Sequence, residues 1–133
     1  MEHNTYIKTR YCETDDFGHV NNVSYFIYLE QARVDFFIDT GRFKNIEDWN
    51  FVVASAHCDY VSQAYVNQNL IVKTWVSRLG NSSVTLKHKI VDQTTEVVIA
   101  TGEVVLVAFD FTSQKSEPLN TQMLEHLKQY LHD

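Results

Sequence analysis

Residues 23–40 carry large apolar side chains around most of a helix circumference, and this segment constrains the fold more than any other. Successive residues of a helix are about 100° apart. With this spacing the main apolar stripe consists of Tyr25, Leu29, Ala32 and Phe36, and it is flanked by Phe26 and Phe37. Three further apolar residues lie toward the opposite side: Ile27, Val34 and Ile38. The polar residues share one narrow arc: Ser24, Gln31, Asp35 and Asp39. Such a helix is predicted to lie in a core, with protein covering most of its sides.

Residues suited to helix ends bracket this segment. Asn21 or Asn22 is a natural N-cap, because an Asn side chain accepts a hydrogen bond from a free backbone N–H, and Gly41 is placed as a C-terminal stop. Pro118 and Asn120 open a second helix, whose predicted buried side carries Leu124, Leu127 and Leu131. The chain is therefore expected to contain one long central helix and one short C-terminal helix.

Five other segments show the composition and alternation of β-strands: residues 5–12, 51–61, 70–79, 83–91 and 97–109. Short connections between them, including a turn at Gly80 and Asn81, favour an antiparallel sheet. The last segment is the longest and is apolar on both faces for much of its length, which predicts a central strand. The order of elements predicts a single α+β domain over residues 1–133, in which about five antiparallel strands wrap the long helix.

The composition argues against several classes of protein. A chain of 133 residues with net charge −6 and no basic tract is not expected to offer a broad nucleic-acid surface. No apolar run approaches the ~20 residues of a membrane span, and the amino terminus reaches strand-like sequence without a signal segment, so a cytoplasmic, non-membrane protein is expected. The excess of large apolar side chains predicts that a second subunit covers part of the helix.

The cysteines and histidines show no spacing typical of a metal or redox site. Cys12 and Cys58 lack a C-x-x-C spacing, and both are expected to be buried thiols rather than a disulfide. His57 and His88 lie on separate predicted strands, and no histidine pair accompanies a set of carboxylates, so no metal is expected. The chain also has no G-x-S-x-G elbow and no Gly-rich phosphate loop, which argues against a serine hydrolase and against nucleotide binding.

The run TDDFGHVNN at residues 14–22 places the carboxylate of Asp15 on a short loop just before the long helix. The start of a helix exposes unpaired N–H groups, which suit a polarised or anionic oxygen. Asp15 could attack a carbonyl carbon or activate a water while those N–H groups stabilise the oxyanion. A thioester is the easier substrate, because a thiolate leaves unaided. An aspartate before a helix is also a common capping or turn residue, and this is the role expected of Asp16.

The sequence TDDFGHVNNVSYFIYLEQAR at residues 14–33 resembles the signature of hotdog-fold acyl-CoA thioesterases, in the 4-hydroxybenzoyl-CoA thioesterase-like group with the YbgC and FadM types. The shared elements are Asp15 followed four residues later by H-V-N-N, Tyr25 three residues after the second Asn, and E-x-A-R within the helix. Acyl carrier protein thioesterases share the D-x-x-x-H-V-N-N core. The resemblance implies a hotdog fold, in which a curved antiparallel sheet wraps a central helix, and an active site at a dimer interface.

The resemblance also implies roles for single residues. The family's catalytic carboxylate falls on Asp15, and the backbone N–H that polarises the thioester carbonyl falls on Asn22. His19 is the third catalytic candidate, either as a base that orients water or as a residue that shapes the loop. The candidate substrate-binding residues are Gly18, Val20 and Tyr25, of which Tyr25 is equally expected as a core residue.

Glu30 and Arg33 lie one turn apart beside the apolar sector of the helix. Because buried charges need partners, we interpret them as a structural pair that bonds to strand backbone or to another subunit. The alternative is catalysis by Glu30, since some hotdog thioesterases use a glutamate of the helix as their carboxylate.

These residues favour hydrolysis of an acyl-CoA thioester to a carboxylic acid and free coenzyme A, by an enzyme that needs no cofactor. The expected partner is acyl-CoA or an acyl carrier protein thioester, and the expected assembly is a homodimer or homotetramer. Two alternatives are open: a hotdog dehydratase or hydratase acting on an acyl thioester, and a non-catalytic acyl-thioester-binding protein.

Overall fold

The computed structural model describes residues 1–40 and 49–133. In chain order, the elements are β1 (His3–Lys8), a 3₁₀ helix (Tyr11–Glu13), α1 (Asn22–Asp39), β2 (Phe51–Tyr60), β3 (Asn69–Leu79), β4 (Ser83–Asp92), β5 (Val98–Asp110), β6 (Lys115–Ser116) and α2 (Thr121–Lys128). The sheet order is β1-β3-β4-β5-β2, with β6 on β5, and every pairing is antiparallel. The predicted α+β fold, an antiparallel sheet around a long helix, is confirmed.

The core lies between the sheet and α1, in two clusters of apolar side chains. Near the start of α1, Leu29 and Ala32 pack with Leu70, Val72 and Ile90 of the sheet. Near its end, Phe36 and Phe37 pack with the sheet and with α2. The predicted alternation in β4 is confirmed in part. Its inward residues are buried, namely Val84, Leu86, His88 and Ile90, but Thr85 of the predicted outward face is buried as well. Strand β5 is the longest, with 13 residues, and lies between β4 and β2 as an interior strand should.

Asn21 caps the start of α1. Its side-chain Oδ1 accepts a hydrogen bond from the Ser24 N–H at 2.9 Å, which satisfies one of the free donors of the first turn. The N-cap is therefore Asn21 rather than Asn22. At the other end Thr40 closes the helix, because its backbone N–H donates a hydrogen bond to the carbonyl of Phe36 at 3.2 Å. The stop predicted at Gly41 lies outside the described residues.

The helix is less completely covered than its sequence predicts. Ser24, expected on the polar arc, is buried, and its hydroxyl donates to the carbonyl of Glu13 at 3.0 Å. On the side of α1 turned away from the buried Tyr25, Leu29 and Phe36, Val23 is 63% and Ile27 is 51% exposed. Residues 1–40 and 49–133 therefore cover one side of α1 and leave an apolar strip open.

Gly102 lets β5 approach α1 closely. A Cβ atom built there would lie 2.6 Å from Cδ1 of Leu29, a side chain with no exposed surface. Glycine is thus required at this position by packing rather than by its backbone angle. The contact fixes the distance between the sheet and the helix that follows the Asp15 loop.

Several sequence-based boundaries differ from the structure. Strand β1 ends at Lys8 rather than at residue 12, because the chain turns into the 3₁₀ helix. In β2 a bulge between Val53 and Ser55 breaks the predicted alternation. Leu131 lies beyond α2 and is 44% exposed, although its backbone pairs with that of Val76.

Two other sequence-based expectations can be compared with the described residues. Cys12 is exposed rather than buried, while Cys58 is half-buried, and both thiols are free. In the described part of the chain, neither helix has the length and apolar character needed to cross a membrane.

Candidate active site

A tight hairpin at residues 13–21 carries the Asp15 run into α1. The N–H of Asp15 donates to the carbonyl of His19 at 2.7 Å, and Thr14 pairs with Val20 as an antiparallel bridge. Such a hairpin holds its two arms at the spacing of paired strands. One arm carries Asp15, and the other leads directly to the first turn of the helix.

Gly18 forms the turn of this hairpin. Its φ of +77° lies in the left-handed region that glycine adopts without steric cost. Its carbonyl accepts a hydrogen bond from the N–H of Val66 at 3.0 Å, which ties the turn to a neighbouring loop. Gly18 does not line the adjacent cleft. In this structure its contribution is to the shape of the hairpin.

An open cleft of about 320 Å³ lies beside the hairpin and the start of α1. It brings together all the other residues singled out from the sequence: Asp15, His19, Val20, Asn22 and Tyr25. The rest of its lining is polar or aromatic and comes from Asn21, Tyr60, Ser62 and Gln63. A carboxylate and a helix N-terminus thus face one small space.

The two oxygens of the Asp15 carboxylate have different surroundings. Oδ1 accepts hydrogen bonds from the backbone N–H groups of Phe17 at 2.8 Å and His19 at 3.1 Å, which fix the side chain. Oδ2 lies 4.0 Å from Nδ1 of His19, beyond hydrogen-bond distance. Because the side chain is 42% exposed, Oδ2 is available to a water or to a bound carbonyl group.

Asn22 is the first residue of α1, so its N–H cannot be paired within the helix. Asn21 caps the N–H of Ser24, and no described group accepts a hydrogen bond from the N–H of Asn22. The carbonyl of Asn22 accepts a hydrogen bond from the hydroxyl of Tyr60 at 3.0 Å. Asn22 therefore combines a free backbone donor with a place in the cleft lining, at a helix end whose dipole favours a negative oxygen.

His19 and Tyr25 both contact the loop that follows β2. The backbone of His19 bridges to that of Tyr65, and the two rings meet edge to face with centroids 5.1 Å apart. Tyr25 is 3% exposed, and its hydroxyl oxygen accepts a hydrogen bond from the N–H of Ala64 at 3.2 Å. Burial raises the pKa of Tyr25, so its phenol stays neutral at ordinary pH. Both residues hold the hairpin and the helix against residues 62–65.

Sequence reasoning missed Tyr60, Ser62 and Gln63. They lie about forty positions beyond the Asp15 run, at the end of β2 and in the loop that follows. No spacing in the sequence connects them to that run. The position of Tyr60 near the end of a predicted strand is the one available signal.

Glu30 and Arg33 do not form the predicted pair within the described part of this chain. Glu30 is exposed, whereas Arg33 is buried, and no ion pair joins them there. Burial lowers the pKa of Arg33, with the charge of Glu30 opposing this. Both residues line a second groove of about 320 Å³, together with Ile27, Trp49 and Val53 among others. Within one chain, Glu30 and Arg33 thus lie outside the lining of the cleft that contains Asp15 and Asn22.

Metal ligands are not clustered in the described residues. Over residues 1–40 and 49–133, no group of three or more His, Cys, Asp or Glu side chains is arranged to hold a metal ion.

Comparison with known proteins relates this geometry to a family. A sequence profile of the thioesterase-like superfamily matches residues 10–127. The long-chain acyl-CoA thioesterase FadM of Escherichia coli (strain K12) is 29% identical over 127 residues, which cover 94% of this chain and 96% of FadM.

Solved structures share the fold over nearly the whole chain. A predicted thioesterase from Bacillus stearothermophilus superposes with a TM-score of 0.91 at 30% identity, covering 100% of this chain and 98% of its own. A thioesterase from Thermus thermophilus, complexed with coenzyme A and Zn, gives a TM-score of 0.84 at 27% identity, covering 96% of this chain and 92% of its own. This chain therefore belongs to the thioesterase-like superfamily, as a hotdog-fold member of the YbgC and FadM type.

Proposed function

We propose that this protein is an acyl-CoA thioesterase, which hydrolyses an acyl-CoA thioester to a carboxylic acid and free coenzyme A. One observation carries the proposal: a single cleft is lined both by Asp15, whose Oδ2 is available, and by Asn22, whose N–H is free at the start of α1. Similarity to a long-chain acyl-CoA thioesterase, and to a thioesterase crystallised with coenzyme A, supports acyl-CoA as the substrate class.

In the proposed reaction the thioester carbonyl oxygen accepts a hydrogen bond from the N–H of Asn22. Oδ2 of Asp15 takes a proton from a water that attacks the carbonyl carbon, or attacks that carbon itself. The N–H of Asn22 stabilises the resulting oxyanion. The C–S bond then breaks, and the coenzyme A thiolate leaves and is protonated. If Asp15 is the nucleophile, a water cleaves the acyl–Asp15 anhydride in a second step.

The first experiment compares Asp15→Asn with Asp16→Asn in an assay of thiol release from acyl-CoA substrates. Asn at residue 15 keeps an oxygen that can accept from the N–H groups of Phe17 and His19, so the hairpin should keep its shape. Loss of a general base lowers kcat by about 10²–10⁴. Asp16 is exposed and does not line the cleft, so Asp16→Asn should stay within about twofold of the wild type. Full activity in folded Asp15→Asn would rule out the assignment.

In a single-turnover reaction in H₂¹⁸O, a first product molecule without ¹⁸O would identify Asp15 as the nucleophile. With a general base, the first product molecule takes its new oxygen from solvent and carries ¹⁸O. With a nucleophile, water attacking the Asp15 carbonyl of the anhydride would leave an Asp15 oxygen in the product of the first turnover. A panel of short, long, branched and aromatic acyl-CoA substrates in the same assay would identify the preferred acyl group.

The proposed working unit is a homodimer in which a second subunit covers the open strip of α1. Val23 and Ile27 are exposed on that strip, and Val53 of the edge strand β2, 51% exposed, lines the same groove as Ile27. Contiguous apolar surface of this kind marks an interface. Ile27→Asp should therefore shift the sedimentation coefficient from dimer to monomer. Val97→Asp is the matched control, because Val97 is 52% exposed in the turn between β4 and β5. A monomeric wild type, or dimeric Ile27→Asp, would contradict the proposal.

A further inference from the structure

Glu13 is a buried carboxylate that lies outside the lining of the cleft. It is 8% exposed, and a carboxylate at such a position is costly unless hydrogen bonds satisfy it. Its Oε1 accepts from the backbone N–H of Arg10 at 2.7 Å and from the hydroxyl of Tyr28 at 2.9 Å. Its Oε2 accepts from Nε of Arg10 at 3.2 Å. The side chain therefore joins the residue that precedes the 3₁₀ helix to the second turn of α1.

The backbone carbonyl of Glu13 holds the other side of the site. It accepts hydrogen bonds from the N–H of Asn21 and from the hydroxyl of Ser24, both at 3.0 Å. The first bond closes the base of the hairpin that carries Asp15. The second ties that base to the first turn of α1, where Asn22 presents its free N–H. One residue thus connects both arms of the hairpin with the helix.

Tyr28 anchors this arrangement in the core. It is 2% exposed, and its ring packs edge to face on Tyr25 in the cluster beneath the cleft. Burial raises the pKa of Tyr28, and the hydrogen bond to Glu13 raises it further, so the hydroxyl remains a donor at every working pH. Arg10, in contrast, has a side chain that is 71% exposed. Its charge therefore adds little, and the hydrogen-bond geometry at Oε1 dominates.

We propose that Glu13 is a positioning residue for thioester hydrolysis, which fixes the Asp15 carboxylate relative to the Asn22 N–H through its contacts with Tyr28, Asn21 and Ser24. This inference rests on the proposed function of the cleft. Catalysis needs the carboxylate, the carbonyl carbon and the oxyanion donor in one geometry, and a misplacement of about 1 Å can cost about 10²-fold in rate. Asp15 is only two residues from Glu13, so a shift of the hairpin base would move it directly.

The experiment measures kcat and KM for Glu13→Ala and Glu13→Gln with the best acyl-CoA substrate. Glu13→Ala removes both acceptor oxygens, and kcat should fall by about 10–100-fold while KM stays within about threefold. Glu13→Gln keeps an acceptor for Tyr28 and the Arg10 N–H, so kcat should stay within about threefold of the wild type. Glu117→Gln is the control, because this carboxylate accepts from Nδ2 of Asn50 at 3.0 Å far from the cleft lining. Its kcat should equal that of the wild type.

Repeating Glu13→Ala in the Asp15→Asn background separates positioning from general stability. If Glu13 acts through Asp15, the second substitution should lower the residual kcat by less than about threefold, because the two effects are not additive. Tyr28→Phe serves as a milder change that keeps the buried ring. It should lower kcat by about 3–10-fold in the wild type and leave the residual kcat of Asp15→Asn unchanged.

Two results would overturn the inference: equal losses in both backgrounds, or a fall in melting temperature with kcat unchanged. Full activity of Asp15→Asn alone would instead refute the proposed function, so the two failures are distinguishable.

Discussion

Replacing Gly102 by alanine is expected to lower the free energy of unfolding by about 1–3 kcal/mol, because β5 lies too close to α1 for a side chain there. A Cβ atom on Gly102 would lie 2.6 Å from Cδ1 and 3.3 Å from Cδ2 of Leu29. Carbon atoms in favourable contact are about 3.5–4.0 Å apart, so the nearer contact is short by about 1 Å. Leu29 is fully buried, so either its rotamer or the helix must shift.

Gly80→Ala is the matched control for this substitution. A Cβ atom there would lie 2.5 Å from Oγ of Ser83, with its next contact at 3.7 Å. The Ser83 side chain is half-buried and its hydroxyl can rotate away. The free energy of unfolding is therefore expected to change by less than about 0.5 kcal/mol. Urea unfolding, followed by tryptophan fluorescence, measures both variants. All samples need one protein concentration, because the stability of an oligomer depends on it.

A double-mutant cycle tests whether the Gly102 effect arises from Leu29. Leu29→Ala removes both clashing methyl groups and by itself should cost about 2–5 kcal/mol. In that background Gly102→Ala should be neutral or stabilising, which corresponds to a coupling energy of about 1–3 kcal/mol. Wild-type stability in Gly102→Ala, or an equal cost in both backgrounds, would refute the reasoning.

Three further predictions concern the hairpin, the helix terminus and a buried histidine. Gly18→Ala places alanine at φ +77° and should cost about 1–2 kcal/mol in urea unfolding; an unchanged midpoint would contradict this. Tyr60→Phe removes the hydrogen bond to the Asn22 carbonyl and should lower kcat by about 3–10-fold in the thiol-release assay. An unchanged kcat would show that this hydrogen bond is dispensable. Burial, followed by the charge of Arg33, lowers the pKa of His88 to about 3. Between about pH 6.5 and about pH 3 the unfolded chain carries a proton on His88 and the folded chain does not. The free energy of unfolding should therefore decrease as the pH is lowered through that window, by at most about 1.4 kcal/mol per pH unit. His88→Gln should remove this contribution, and an unchanged pH slope would argue against it.

Much of the fold could be predicted because its signals are local. The period of residues 23–40 predicted α1, and the alternation in residues 83–91 predicted a half-buried β4. Boundaries were predicted less well where a side-chain hydrogen bond or a distant contact decides them. Strand β1 ends early because the chain turns into the 3₁₀ helix, in which Glu13 accepts a hydrogen bond from the Arg10 N–H. The position of Leu131 depends on the pairing of its backbone with β3, which no local pattern reveals.

The candidate site was partly predictable for the same reason. Asp15, His19 and Asn22 lie within eight residues of one another, so the hairpin and the helix start bring them together through local geometry. Tyr60 and the loop after it enter the cleft only because β2 packs at the edge of the sheet beside α1. Their contribution depends on strand order, which a single sequence does not specify.

The sequence by itself determined a long apolar helix, an antiparallel sheet around it, and a carboxylate placed just before a capped helix start, because periodicity and capping involve neighbours along the chain. Only the tertiary structure decided which oxygen of Asp15 is available, why Glu13 is buried, and why residue 102 must be glycine. Those properties depend on contacts between segments far apart in sequence, where a difference of about 1 Å separates a favourable contact from a clash.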